Sequence, residues 1–380
     1  MVTEGTIHAQ QRTRRMLLAT RAVRRSVSGL TGMTSGPAWR FSDTRHTEKK
    51  HVPLMLVHAD WVWATVRSLA PSAIVLRYHR DRFERIATDP EDNIRWIAWR
   101  RDGRSALAVG NRGLVLGFDG QKFRKFNSPT RENLRCASYN PMNEAMIVGN
   151  RGAVLLFKNG NLEVVGVGTE ANLRRVAWSP DGSTALLVGN DGAALGWKVG
   201  KTQELAGALN NLRSVSWHHQ GRNALVSGNY FGTSMVPCPT LYGYEEGAKE
   251  LKPLIMIEKT DIIGVEWNPD GSYALAVGYE VVWHEPRVFR WTNGELENIP
   301  VTEPSLYPTL VAWDPRNNRA LIGTGSPFPR SRGQGAILNF EEGHIRKLYS
   351  CPHRITCMAW HPKGDVAIII GNTNARTFTT

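Results

Sequence analysis

The stretch Asn172-Leu173-Arg174-Arg175-Val176-Ala177-Trp178-Ser179-Pro180-Asp181-Gly182-Ser183-Thr184-Ala185-Leu186-Leu187-Val188-Gly189-Asn190-Asp191-Gly192 decides the fold. It reads as strand, turn, strand, hairpin. Leu173 to Trp178 forms the first strand, Pro180-Asp181-Gly182 a turn, and Ala185 to Val188 the second strand. Gly189-Asn190-Asp191-Gly192 is a hairpin whose Asn and Gly tolerate positive φ, and Ala193 to Trp197 is a third strand.

Working outward, the same unit recurs along the chain. Its anchors are Trp99, Tyr139, Trp178, Trp217, Trp267, Trp313 and Trp360, spaced by 40, 39, 39, 50, 46 and 47 residues. That is the length of a four-stranded propeller blade, and seven copies predict seven blades. The punctuation repeats with it. Asp102-Gly103, Asp270-Gly271 and Lys363-Gly364 mark first turns, and Gly110-Asn111, Gly149-Asn150, Gly228-Asn229 and Gly371-Asn372 mark second turns. Asp119-Gly120, Asn159-Gly160, Asn293-Gly294 and Glu342-Gly343 mark third turns. The last copy ends soon after Gly371, whereas residues 74 to 86 match the outer half of a blade, as in Leu114 to Phe126. The expected fold is therefore an all-β, seven-bladed β-propeller in which amino-terminal outer strands close the carboxy-terminal blade, a velcro arrangement that leaves no open edge.

Composition agrees. The chain has 380 residues, 41% hydrophobic and 21% charged, with 36 glycines and 13 tryptophans, which suits many tight turns around aromatic packing positions. No apolar run approaches the roughly 20 residues of a membrane helix. Cys136, Cys238, Cys351 and Cys357 lack CxxC spacing and imply neither a zinc site nor a disulfide framework. The net charge of +13 is uneven: residues 1 to 50 hold ten Lys and Arg against three acids, a net of +7, leaving +6 for the remainder. This Arg-, Ser- and Thr-rich segment has no sustained apolar period, so residues 1–51 are expected to be a disordered basic tail and residues 52–380 the propeller. Arg14-Arg15-Met16-Leu17-Leu18-Ala19 begins like an export signal, but Arg21, Arg24 and Arg25 interrupt the apolar region. The tail equally fits a transit peptide or a start at Met33 or Met55. A cytoplasmic location is expected, with the tail as a targeting segment the other reading.

The Val176-Ala177-Trp178-Ser179-Pro180-Asp181-Gly182 string, the aromatic ending the third strand (Phe118, Phe157, Trp197, Trp291, Phe340) and the blade length resemble WD40-like β-propellers over roughly residues 74 to 380. The chain departs from that family in its dipeptides: Gly343-His344 and Trp313-Asp314 each occur once, away from the family's positions, and at the third-strand end only Phe118-Asp119 approximates Trp-Asp. The Val-Gly-Asn-x-Gly hairpins are also similar to repeats of propeller-type photosystem assembly factors, without their Asp-Gly-Gly-x-x-Trp ending. The resemblance implies the fold; propellers serve as scaffolds, enzymes and lectins, so it names no function.

Tryptophan with basic charge suggests stacking platforms for nucleic acid. Six of the thirteen, however, are repeat anchors, and Trp197 and Trp291 end third strands, so eight are assigned to packing between blades. Trp96, Trp283, Trp39, Trp61 and Trp63 remain. The most informative polar feature is an arginine four residues before the anchor in four consecutive copies, Arg95, Arg135, Arg174 and Arg213, with Asn93, Asn133, Asn172 or Asn211 two residues earlier. Later copies have Ile263, Thr309 and Thr356. This position begins the innermost strand, so four guanidinium groups gather at the channel mouth, where an anion or acidic partner would relieve their repulsion. A structural reading stands beside it: Asp92, Glu132 and Glu170 pair with the arginines across blades.

Two insertions point to the same face. Tyr279 to Glu285, with Trp283 and His284, and Ser326 to Gly333, with Phe328, Arg330 and Arg332, lie between second and third strands. No HExxH, GxSxG, P-loop or repeated sialidase-type box occurs, so no catalytic residue, metal or cofactor is assigned. The sequence reads as a non-catalytic scaffold, monomeric on its own, that binds a protein with an acidic surface through Arg95, Arg135, Arg174, Arg213, Trp283, His284, Phe328, Arg330 and Arg332. Nucleic acid is the weaker partner. The reading from another class is a lyase or glycosidase acting on an anionic saccharide-like ligand at that mouth.

Overall fold

The computed structural model describes residues 73–372 apart from 87, 89–92, 304 and 326–334. The basic tail at 1–51, Trp39, Trp61 and Trp63, Asp92, and the loop residues Phe328, Arg330 and Arg332 lie outside the described residues. The described residues form seven four-stranded antiparallel sheets. Their first strands, from Ile94–Trp99 and Leu134–Tyr139 round to Arg354–Trp360, neighbour one another in a closed circle about a central channel. The protein is a seven-bladed β-propeller. Six blades use four consecutive strands; the seventh joins Arg354–Trp360 and Ala367–Asn372 to the chain's first strands, Ala73–His79 and Arg82–Ile86. The expected pairing is present, with Val75 opposite Ile370 and Arg77 opposite Ile368.

Burial explains the strand composition. Second strands such as Ala145–Gly149, Ala185–Gly189 and Ala367–Asn372 are buried at every position, because a neighbouring blade covers each face. They therefore read as continuous apolar runs rather than alternating ones. Outer strands such as Lys201–Glu204 are exposed along their length and carry the charges that blunt a sheet edge. All four cysteines are buried and unbridged. Among the described residues no helix is long and apolar enough to cross a membrane.

The repeat anchors sew the blades together. The indole N–H of Trp99 donates to Ala359 O at 3.2 Å, that of Trp217 to Ala177 O at 3.0 Å, that of Trp313 to Glu266 O at 3.2 Å, and that of Trp360 to Ala312 O at 3.0 Å. Each acceptor immediately precedes the anchor of the previous blade, so one indole ties its blade to the first strand of the blade before. Where that preceding residue is serine the seam changes. Ser138 Oγ accepts the backbone N–H of Trp178 at 3.4 Å, and Ser216 Oγ that of Trp267 at 3.1 Å. The indoles of Trp178 and Trp267 then make no such bond.

Deleting residues 73–86 removes both outer strands of the seventh blade and bares the Ala367–Asn372 edge. The expected outcome is aggregation in size-exclusion chromatography; a soluble monomer that unfolds cooperatively would show that the ring does not depend on this closure.

Candidate functional site: the mouth of the channel

In every blade the first strand is interrupted at the same repeat position. The register skips Arg95 between Ile94 and Trp96, Arg135 between Leu134 and Cys136, Arg174 between Leu173 and Arg175, and Arg213 between Leu212 and Ser214. It skips Ile263, Thr309 and Thr356 in the other three. Each is a β-bulge, a residue left out of the ladder whose side chain is re-aimed. The seven bulged residues all line one cavity of about 280 Å³ at the channel mouth.

In the first four blades the Gly-Asn hairpin between second and third strands fixes the bulge. Hairpin N–H groups donate to the carbonyl at the strand entry: Asn111 to Asn93 O at 3.1 Å, Asn150 to Asn133 O at 2.9 Å, Asn190 to Asn172 O at 3.0 Å. The approach leaves no room for a side chain before the asparagine, since a Cβ on Gly189 would lie 2.4 Å from Asn172 O and one on Gly110 only 2.1 Å from Asn93 O. The asparagine Oδ1 then accepts the arginine Nε, Arg95 to Asn111 at 3.0 Å, Arg135 to Asn150 and Arg174 to Asn190 at 2.9 Å, and Arg213 to Asn229. Entry asparagines tie each blade to the one before: Asn133, Asn172 and Asn211 accept the N–H of Arg112, Arg151 and Asp191. One expectation needs correction. Asp191 (φ +56°) and Gly192 (φ +75°) take the left-handed conformation in this hairpin, and Asn190 does not, because its side chain is the clamp on Arg174.

Two further arginines join the four. Arg354 occupies the entry position of the seventh blade, six residues before Trp360, and Arg175 follows Arg174. A rule counting only the fourth residue before the anchor passes over both. Arg175 lines the mouth and the channel beneath it, and its guanidinium lies 4.1 Å from the centre of the Trp96 ring, a cation–π contact that gives Trp96 a role besides packing.

Burial and mutual repulsion depress these cations. Arg174 is pushed down to about 10 by burial and by Arg135, Arg213 and Arg175. Burial, then Arg354 and Arg174, lowers Arg95; burial, then Arg95, lowers Arg135. Arg213 and Arg354 are lowered mainly by burial as well. Across-blade pairing with Glu132 or Glu170 is not what holds them. Glu132 pairs with Arg151 at 3.6 Å, and among the described residues no ion pair joins the four arginines to Glu132 or Glu170. Among the described residues a carboxylate beside the ring is Asp261, at the fifth blade's entry. It accepts the N–H of Tyr230 at 2.8 Å and bonds from Asn229 and Tyr279, the backbone bond being the one the entry asparagines make elsewhere.

The insertion in the fifth blade is shorter than expected because the strands Ala274–Glu280 and Pro286–Thr292 extend into it. Glu280 Oε2 accepts the N–H groups of Val282 and Trp283, and His284 sits half-buried at φ +59°. Trp283 is 80% exposed. Both residues share the arginine face but do not line the cavity. A third long connection, in the fourth blade, escaped the sequence reading although the 50-residue spacing from Trp217 to Trp267 signalled it. It exposes Met235 and Val236 beside Leu209, and the next connector exposes Met256. Bonds from backbone N–H groups lace these loops together: Thr233 to Leu209 O, Val281 to Lys259 O and Ile257 to the side-chain Thr240 Oγ1. The result is an apolar crest over the fourth and fifth blades, ending at Val282 and Trp283.

Below the mouth the channel opens to about 750 Å³. Glu266 projects into it, and burial pushes its carboxyl up to about 8, partly offset by Arg175.

No protein-family model and no curated protein sequence matches the chain. Solved structures do. The β-propeller domain of Cps50 (Swd1) from Myceliophteria thermophila is 11% identical with a TM-score of 0.56, over 78% of this chain and 100% of that one. A chain of the mitotic checkpoint complex is 12% identical with a TM-score of 0.58, over 79% and 94%. YCF48, solved bound to a D1 peptide, is 15% identical with a TM-score of 0.57, over 78% and 92%. At these identities the likeness establishes the propeller fold alone.

Two predictions follow from this charge arrangement. Arg135→Ala with Arg174→Ala removes two mutually repelling cations and strands no paired carboxylate, so the melting temperature should hold or rise. Going from about 0.1 M to about 1 M salt, which shortens the screening length from ~10 to ~3 Å, should stabilise the native chain more than the double variant. A clear drop in melting temperature would return the arginines to a structural ion-pair role. For Glu266, both folded and unfolded chains hold the proton below about pH 4.5. As pH rises the unfolded chain ionises first, so stability falls until pH passes about 8 and stays lower above it. Glu266→Gln should therefore match the native melting temperature near pH 5 and exceed it near pH 9; parallel pH curves would contradict this.

Proposed function

We propose that this propeller is a binding platform, not a catalyst, for a protein bearing an acidic surface, docked on the arginine mouth and the apolar crest beside it. The observation that carries the reading is the convergence of six guanidinium groups on one cavity with asparagine rather than carboxylate partners at four of them. Such cations keep N–H donors for an incoming anion, and an acidic partner removes their repulsion instead of competing with an internal acid.

The crest favours a protein over a nucleic acid. Leu209, Met235, Val236 and Trp283 are large apolar groups left in water on the same face as the mouth, the chemistry of a protein interface core beside a charged rim. A phosphodiester backbone would use the arginines and leave the crest wet. YCF48, a propeller of the same fold, has been solved with a peptide bound, which supports a protein segment as an occupant.

The test uses immobilised full-length chain and the proteins it retains from native-host extract. Arg135→Ala with Arg174→Ala should weaken a retained partner by about 2 kcal/mol, between ~1 for exposed ion pairs and ~5 for buried ones, and flatten its salt dependence. Met235→Asp should weaken it without changing the salt dependence. A retained set that neither variant alters would overturn the reading.

A further inference from the structure

The mouth cavity is small and its charge is dense. Arg95, Arg135, Arg174, Arg175, Arg213 and Arg354 surround about 280 Å³, with Asp261 the neighbouring carboxylate, already engaged by Tyr230, Asn229 and Tyr279. The space amounts to about nine water molecules, at the lower edge of small-ligand pockets. A partner's acidic side chains bring one charge each on a methylene stem and a backbone, so few of them fit. Phosphate groups bring up to about two charges each with no stem, and their oxygens match the guanidinium fork.

The cavity also has a floor. Arg175 lies over the Trp96 ring where the mouth meets the wider channel, so an anion entering from the arginine face meets a cation at the bottom as well as around the wall. Arg354 adds a donor that nothing else uses, for its Nε is buried without a hydrogen-bond partner among the described residues. The remaining wall, Ile263, Thr309, Leu310, Ile355 and Thr356, holds no competing charge, and both threonine hydroxyls are turned onto their own blade, to Gly323 O and Ile370 O.

We infer that the mouth of this propeller binds an oligophosphate group, a chain of two or three linked phosphates either free or carried on a larger molecule, seated on Arg175 and ringed by Arg95, Arg135, Arg174, Arg213 and Arg354. The inference rests on the mouth being an anion site, as proposed above, and names what fills its interior. An oligophosphate there neutralises the cations that would attract an acidic partner, so the two compete.

The experiment is isothermal titration calorimetry and thermal denaturation of the full chain with inorganic tripolyphosphate, ATP, orthophosphate and a poly-glutamate peptide at matched ionic strength. Tripolyphosphate should bind one to one, at least tenfold tighter than orthophosphate, raise the melting temperature and displace poly-glutamate. ATP of similar affinity would assign the site to phosphates carried on a larger molecule, and ATP that fails to bind would assign it to the free chain. Arg135→Gln with Arg354→Gln should weaken tripolyphosphate at least tenfold. Should that variant fold poorly, Ile263→Glu, which adds a carboxylate at the fifth blade's bulge and removes no arginine, should weaken it by a similar factor. Poly-glutamate binding with no preference for tripolyphosphate over orthophosphate would overturn the oligophosphate and leave the acidic-partner reading standing. Binding of neither would overturn both, and affinity unchanged in Ile263→Glu would place any bound phosphate elsewhere on the protein.

Discussion

The contact on which the arrangement depends is the seating of each Gly-Asn hairpin against the carbonyl that opens its blade's first strand. In the first three blades the distance is too short for any Cβ, as Gly110 over Asn93, Gly149 over Asn133 and Gly189 over Asn172 show. Because the glycine is spent on proximity, the next residue stands within reach of the bulge, and in the first four blades it is an asparagine that holds an arginine. The entry asparagine reaches the other way, to the preceding hairpin. A single short motif therefore fixes the strand, links neighbouring blades and aims a cation, three tasks that would otherwise need separate residues.

This economy has an electrostatic cost. Clamping guanidinium groups by neutral amides keeps them oriented but leaves their charge uncompensated, and the depression of Arg174 to about 10 reflects burial first and then that crowding. Ion pairing with Glu132 or Glu170 would have removed the strain and the unused hydrogen-bonding capacity together. The protein instead spends its acids elsewhere, Glu132 on the exposed Arg151 and Asp261 on the fourth hairpin. Stability is held by the buried second strands and the indole bonds between blades, so the mouth can remain charged without unfolding the ring.

How far the primary structure could be read follows from which features repeat. The blades, their turns and the closure of the ring were readable because the anchors recur at nearly constant spacing and because a half-blade is missing at one end and present at the other. The four arginines were found for the same reason. Arg354 and Arg175 were not, since each occupies a repeat position where other blades carry a different residue, and only the circular closure brings the seventh blade's entry next to the first. The apolar crest was hidden for another reason: Leu209, Met235 and Val236 come from connectors, and ordinary hydrophobic residues in a loop do not announce that they stay in water. The choice between carboxylate and amide partners for the arginines turned on side-chain reach, which spacing along a chain does not specify.

The bulge lends the propeller a form of evolvability. Its residue lies outside the ladder in all seven blades, and arginine, isoleucine and threonine already occupy that place without disturbing the sheets. Exchange at these positions rewrites the lining of the mouth while every strand keeps its hydrogen bonds, so recognition can change with little rearrangement of the sheets. The ring behaves as a dial with seven settings on one frame, coupled to one another through the charge they place in a shared cavity.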